Sequence, residues 1–113
     1  MPKFALMYQY DPAVAGPTED ELQEWLDLDK EARGAGVLVH EAGFHDAGAA
    51  RTVCVRDAAT IVDDGVTAAP GAVVAGFYVV DVADINAATS WARRIPTARY
   101  GSVDVRPVVE YDG

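Results

Sequence analysis

Two histidines and a carboxylate between them, His40, Glu41 and His45, are the side chains of this chain best suited to move protons near neutral pH. They fall on one apolar segment, Val37 to Phe44 and just beyond, that reads as a β-strand. Alternation puts His40, Ala42 and Phe44 on one side and Glu41, Gly43 and His45 on the other, unless Gly43 introduces a bulge. The two histidines therefore point apart in a flat strand. His40 is a candidate general base, given a carboxylate to orient it; the other reading is a hydrogen-bonded core or interface histidine. Glu41 is a candidate proton shuttle if burial raises its pKa, and a solvent-facing strand residue otherwise. His45 is followed by Asp46 at the strand's end, but adjacent strand residues diverge, so the pair is no dyad on sequence grounds. Tyr8 and Tyr78 belong to strands expected at the centre of a sheet. Their phenols serve either as core with a hydroxyl at the rim or as ligand anchors.

Other chemistries find no support. The GAG at positions 34–36 ends a helix and does not cradle phosphate; there is no CxxC and no G-x-S-x-G elbow. Two histidines five apart on a strand make poor metal geometry, so neither a metal nor a cofactor is expected. Cys54 stands alone, mid-strand and far in sequence from either histidine, which favours an inert thiol and a reducing, cytoplasmic setting. With 18 Asp and Glu against 9 Lys and Arg, the surface repels phosphate backbones and anionic lipids. Nucleic acid and membrane are thus unfavoured partners. The opening MPKFALMYQY reads as a strand and not as a signal peptide, and no apolar run nears the roughly 20 residues that span a bilayer.

The elements that position these residues are legible in outline. Phe4 to Tyr10 alternates, with Phe4, Leu6, Tyr8 and Tyr10 on one face. Thr18 with Glu21 makes a capping box for a helix whose expected buried stripe is Leu22, Trp25, Leu26 and Ala32, ending at Gly34 and Gly36. Val37–Phe44 and Arg51–Arg56 read as strands joined by a Gly/Ala-rich loop, Thr60–Val62 as a short extra strand, and Asp63-Asp64-Gly65 as a turn. Val73–Val82 is apolar on both faces and must be central. Asp84 caps a second helix with Ile85, Ala88, Ala92 and Ile95 inward, stopped by Pro96. Thr97–Gly101 reads as a loop, and Ser102–Val109 as a last strand that Pro107 places at an edge.

The order β-α-β-β-(β)-β-α-β predicts one α+β domain over residues 1–113: a ferredoxin-like split βαβ sheet with two helices on one face and an extra short hairpin strand. Two helices cover one face of such a sheet. The apolar second face needs another layer, and a second copy of the chain is the commonest source, so a homodimer is expected.

The segment Gly76–Tyr111, with a helix ending W-A-x-R-I-P and a GS-V-x-VRPV strand, resembles the YCII-related proteins of the DGPF subgroup. KFALMYQY and GAGVLVHEAGFHDAGAARTVCVRD are similar to their counterparts there, so the likeness spans nearly the whole chain. It implies a dimeric α/β barrel. It implies no single activity: relatives of the fold include isomerases, lyases and monooxygenases, and a His/Asp pair is the device associated with some members. The subgroup's D-G-P-F stands here as Asp64-Gly65-Val66-Thr67, followed by Ala68-Ala69-Pro70-Gly71. On this resemblance Asp64 is either a ligand contact or a turn-former for Gly65. Arg106, in the V-R-P match, would pair with an acidic ligand or with a partner chain's carboxylate.

Three functions compete: a small-molecule enzyme using His40 and Glu41 in a cleft, a non-catalytic small-ligand or regulatory module, and a structural dimer. A cleft with two convergent titratable groups favours the first. A mostly apolar pocket with one or two polar anchors favours the second.

Overall fold

The computed structural model describes residues 2–65 and 71–111. Of the altered loop, Val66 to Pro70 lie outside them. Strands β1 (Lys3–Tyr10), β2 (Leu38–Gly43), β5 (Val73–Asp81) and β6 (Ser102–Pro107) form a four-stranded sheet in the order β2-β5-β1-β6. Every neighbouring pair is antiparallel. Helices α1 (Glu21–Gly34) and α2 (Ile85–Ala92) follow β1 and β5. The chain is α+β, and its sheet order is compatible with a ferredoxin-like fold.

One face of the sheet carries the core. Phe4, Leu6 and Tyr8 of β1 meet Tyr78 and Val80 of β5, and both helices bury side chains on them: Leu28 from α1, Ala88 and Ala92 from α2. Ile95, just past α2, closes the same cluster. The other face, reached by neither of these buried helix residues, presents Ala5, Met7, Phe77, Val79 and Ala42, all half-buried, with Phe44 exposed beside them. β5 is flanked by β1 and β2, which accounts for its apolar character on both faces. β6 pairs only with β1, and edge position is what allows Pro107 in it.

The segment between β2 and β5 departs from expectation. Among the described residues β3 (Arg51–Arg56) and β4 (Ala59–Asp64) pair only with each other, as a separate hairpin, after a 3₁₀ turn at Ala47–Ala49. Asp63 and Asp64 are strand residues, not a turn. The reversal is the two-residue turn Asp57-Ala58, with φ of 50° and 63°. That left-handed pair suits a tight hairpin, but Asp-Ala is a weak signal for it because alanine seldom occupies it.

The α1 stripe needs correction, while α2 keeps its expected buried residues Ala88 and Ala92, with Ile95 just beyond it. α1 begins at Glu21 with Asp20 at its N-cap, not Thr18. Half of the capping box survives, since the Thr18 backbone N–H donates to Glu21 Oε2 at 3.0 Å. Leu22 and Leu26 are 66% and 54% exposed, while Glu21, Leu28 and Ala32 are buried. A helix can lay only one stripe on a sheet, and the Trp25–Leu28–Ala32 stripe occupies it. In α2 the expected Asp84 cap forms, its Oδ1 accepting the Ala87 N–H at 2.9 Å, but Ile85 is exposed. Pro96–Arg99 is a 3₁₀ turn with Thr97 buried, not an open loop.

Candidate functional site

The first turn of α1 fixes one wall of a cleft. Glu21 is 3% exposed, and its carboxylate accepts bonds from three donors: the Thr18 N–H, Trp25 Nε1 (3.2 Å) and the Tyr100 hydroxyl (2.8 Å). A buried charge requires such satisfaction. It also pins the Trp25 indole, whose ring lies 4.9 Å from Tyr8 and 6.1 Å from Tyr78, centroid to centroid. One turn further along, Asp29 projects between helix and sheet, where Tyr78 donates to its Oδ1 at 2.6 Å. The shortness marks a charge-assisted bond.

Glu41 approaches from the sheet's edge. It pairs with Tyr78 across β2 and β5 and so shares the helix-covered face. Arg33 Nη2 donates to its Oε1 at 3.2 Å, and lies 3.9 Å from Asp29. Glu41 is held above its ordinary pKa, first by its hydrogen bond with Asp29, then by burial and Asp29's charge; Tyr78 and Arg33 oppose the rise. Beside Asp29, Glu41 therefore keeps its proton to higher pH than it would alone. Burial and the neighbouring acids raise both phenols: Tyr8 to about 12, and Tyr78, with Asp29 as hydrogen-bond acceptor, further still. Both are neutral donors at physiological pH.

These groups line a cavity of about 260 Å³, walled by Tyr8, Trp25, Tyr78 and Leu26 and open along Ala42 and Gly43. Gly76 makes room for it. A Cβ there would overlap the Tyr8 hydroxyl and the Ala42 carbonyl, so only glycine lets Tyr8 lean across β5 towards Ala42, its hydroxyl 3.5 Å from that oxygen.

Of the residues expected from sequence, the structure brings Tyr8, Glu41 and Tyr78 together and leaves the others elsewhere. His40 pairs with Val79 on the opposite face, its ring 5.9 Å from Phe77. The strand's period thus separates it from Glu41, so the two cannot serve one cleft in this chain. The bulge in β2 falls at Val39, not Gly43. His45 and Asp46 border a second cavity of about 380 Å³ with Tyr10, Pro12, Phe44 and Val73–Ala75. Asp64 is on the hairpin, its side chain 95% exposed and 3.9 Å from Arg51. Arg106 is exposed on β6, opposite Ala5 on the sheet's other face. Cys54 is half-buried on β3 opposite Ile61. Among the described residues no three His, Cys, Asp or Glu side chains converge as metal ligands would, and no helix is long and apolar enough to cross a membrane.

Sequence reasoning missed Asp29, Trp25 and Arg33 as members of the site. The signal was present: Trp25, Asp29 and Arg33 recur every four residues, one helical stripe carrying an aromatic, an acid and a base. A search of curated proteins finds no match for the chain. The model of the YCII-related domain family matches residues 2–112, all but the two terminal residues, and on that extent of agreement the chain belongs to the YCII-related family.

Proposed function

We propose that this chain is one domain that performs general acid–base chemistry on a small organic molecule bound between α1 and β2. The observation that carries the reading is the Tyr78–Asp29–Glu41 group at the cavity: a neutral phenol bonded to Asp29, and two carboxyls that line the same cleft and both lie within 3.9 Å of Arg33 Nη2. In this arrangement a carboxylate of the pair takes a proton from the bound molecule and returns it at a second position, while Tyr78 orients Asp29 through its hydroxyl. Arg33 at the rim favours the ionised form of Glu41. Glu41 remains a catalytic candidate, with Tyr8 and Tyr78 as ligand contacts; His40 passes from the cleft to the open face.

The reading includes a homodimer in which a second copy covers that open face, completing a dimeric α/β barrel of the DGPF kind in a cytoplasmic setting. Supporting it are the apolar stripe Met7, Phe77, Val79 and Phe44, and the hairpin, whose Val53, Val55 and Val62 are all more than half exposed. A two-stranded hairpin is marginal on its own, which favours a partner for it. Light scattering of the native chain and of Phe77→Asp tests this: a dimer that becomes monomeric is expected, and a native monomer would refute it.

The second cavity favours another reading, a binding-only module. Its lining is mostly apolar, with His45 and Asp46 as polar anchors. A thermal-shift screen with a broad small-molecule library, repeated on Glu41→Gln, His40→Ala and His45→Ala, separates the two. Acid–base use of the first cleft predicts hits lost in Glu41→Gln and kept in both histidine variants. Hits lost only in His45→Ala would transfer the function to the second cavity.

A further inference from the structure

The chemistry of the first cleft also selects a ligand charge. Three aromatic rings, Tyr8, Trp25 and Tyr78, stand within 4.9 to 6.4 Å of one another around it. Their faces carry negative quadrupole potential. Asp29 and Glu41 add two carboxyls to the same lining, with side chains 26% and 29% exposed. The cation nearest them, Arg33, has its side chain 62% exposed and stands towards solvent. The chain as a whole carries a formal charge of −9, so its long-range field draws cations in and turns anions away. A cavity of about 260 Å³ is at the small end of ligand pockets, which start near 300 Å³.

We propose that the cleft binds a small organic cation, a protonated primary amine or quaternary ammonium on a compact apolar body, with its charge between the aromatic wall and the Asp29–Glu41 pair. This rests on the acid–base reading of the same cleft and names its substrate class. An anion is excluded by the two carboxyls. A neutral molecule of the same shape forgoes both the ion pair and the cation–π contact. Binding also moves a proton. A positive charge beside Glu41 favours its ionised form, so the raised Glu41 pKa falls as the ligand enters. The charged and titratable groups that face the pair are Asp29 and Arg33 on α1, Glu41 on β2, Tyr78 on β5 and Tyr8 on β1; the phenols stay neutral, leaving the carboxyl pair as the source.

The test uses three probes of one shape, benzylammonium, benzyl alcohol and benzoate, titrated into the native chain and followed by the Trp25 indole N–H resonance. Trp91 on α2 serves as internal control. Benzylammonium is expected to shift Trp25 saturably at roughly millimolar concentration, at least about tenfold more tightly than either neutral or anionic probe. Calorimetry in two buffers of different ionisation heat should show proton release below neutral pH. Asp29→Asn and Glu41→Gln, each checked for folding by the Trp91 signal, should weaken benzylammonium about tenfold and leave benzyl alcohol unchanged. Equal or tighter binding of benzoate or benzyl alcohol overturns the cation assignment, as does the absence of any Trp25 shift with benzylammonium. The acid–base reading is tested apart from this, in ligand-free protein: it falls if the Glu41 carboxyl resonance titrates identically in native chain and Asp29→Asn.

Discussion

Replacing Tyr78 by Phe removes one hydroxyl and leaves the ring, so it isolates the bond on which the site depends. Tyr78 is 4% exposed, and its hydroxyl donates to Asp29 at 2.6 Å. Hydrogen bonds to a charged partner contribute about 1.5–3 kcal/mol. Asp29 is 26% exposed on its side chain and can recover some of the loss from water, which puts the cost near the lower end, about 1.5 kcal/mol. For a chain of 113 residues the unfolding entropy is about 0.24 kcal/mol per degree, so Tm should fall by about 6 °C. A double-mutant cycle with Asp29→Asn should return most of that as coupling. The same variant has a second consequence. Tyr78's bond holds Glu41 down against the rise caused by Asp29, so Tyr78→Phe raises the Glu41 pKa further, whereas Asp29→Asn lowers it towards its ordinary 4.5. Carbon-detected titration of the Glu41 carboxyl reads both. Because the folded pKa exceeds the unfolded one, the native state binds the extra proton. Stability from Glu41 is complete below about 4.5 and is lost as pH rises through the raised value. The slope should steepen in Tyr78→Phe and flatten in Asp29→Asn. A Tm change under about 1 °C with zero coupling, or shifts of one sign in both variants, would refute the reasoning.

Three further outcomes are expected. Glu21→Ala strips the acceptor from the Thr18 N–H, the Trp25 indole and the Tyr100 hydroxyl, at a cost of about 3 kcal/mol in chemical denaturation. It should also bring the Tyr100 phenol, held up at about 12 by burial and by Glu21, downwards in an ultraviolet titration. Gly76→Ala drives a methyl into the Tyr8 hydroxyl and the Ala42 carbonyl; it should destabilise by about 1–3 kcal/mol and shift the Trp25 resonance through Tyr8. Ala58→Gly relieves a left-handed alanine at φ 63° and should stabilise the β3–β4 hairpin by about 1 kcal/mol, seen as slower amide exchange there and not elsewhere.

How far the sequence reached follows from what each signal encodes. Strand period is local, so the alternation that faced Tyr8 and Tyr78 inward and divided His40 from Glu41 was readable, and β5's double-sided apolarity placed it centrally before any pairing was known. Helix phase is not local when two stripes are both apolar. Leu22 and Leu26 compete with Trp25, Leu28 and Ala32, and only packing against β1 and β5 decides. Of the expected stripe, Trp25 and Ala32 lie on the covered face and Leu22 and Leu26 do not; Leu28 takes their place, which leaves the adjacent Asp29 at the rim. The two strands of the hairpin were readable at Arg51–Arg56 and Thr60–Val62, but its turn was hidden for a different reason. Its turn is Asp57-Ala58, and without a glycine the sequence carries no strong mark of a left-handed pair.

On the acid–base reading, the site's location explains why carboxyls, and not the histidines, would be its proton carriers. A histidine is ready-made for neutral pH and needs little from its surroundings, whereas a carboxylate reaches that range only when a second acid and a dry wall push it there. Glu41 is moved in that direction where α1 meets the β2 edge, by its bond with Asp29 first and by burial second. His40, one residue away, receives neither: the pleat turns it to the exposed face beside Phe77. The proton chemistry is therefore a property of the helix–sheet junction and not of any residue by itself. Moving α1 by altering Glu21 or Gly76 should disturb Glu41's titration, although neither residue bears on Glu41's charge directly.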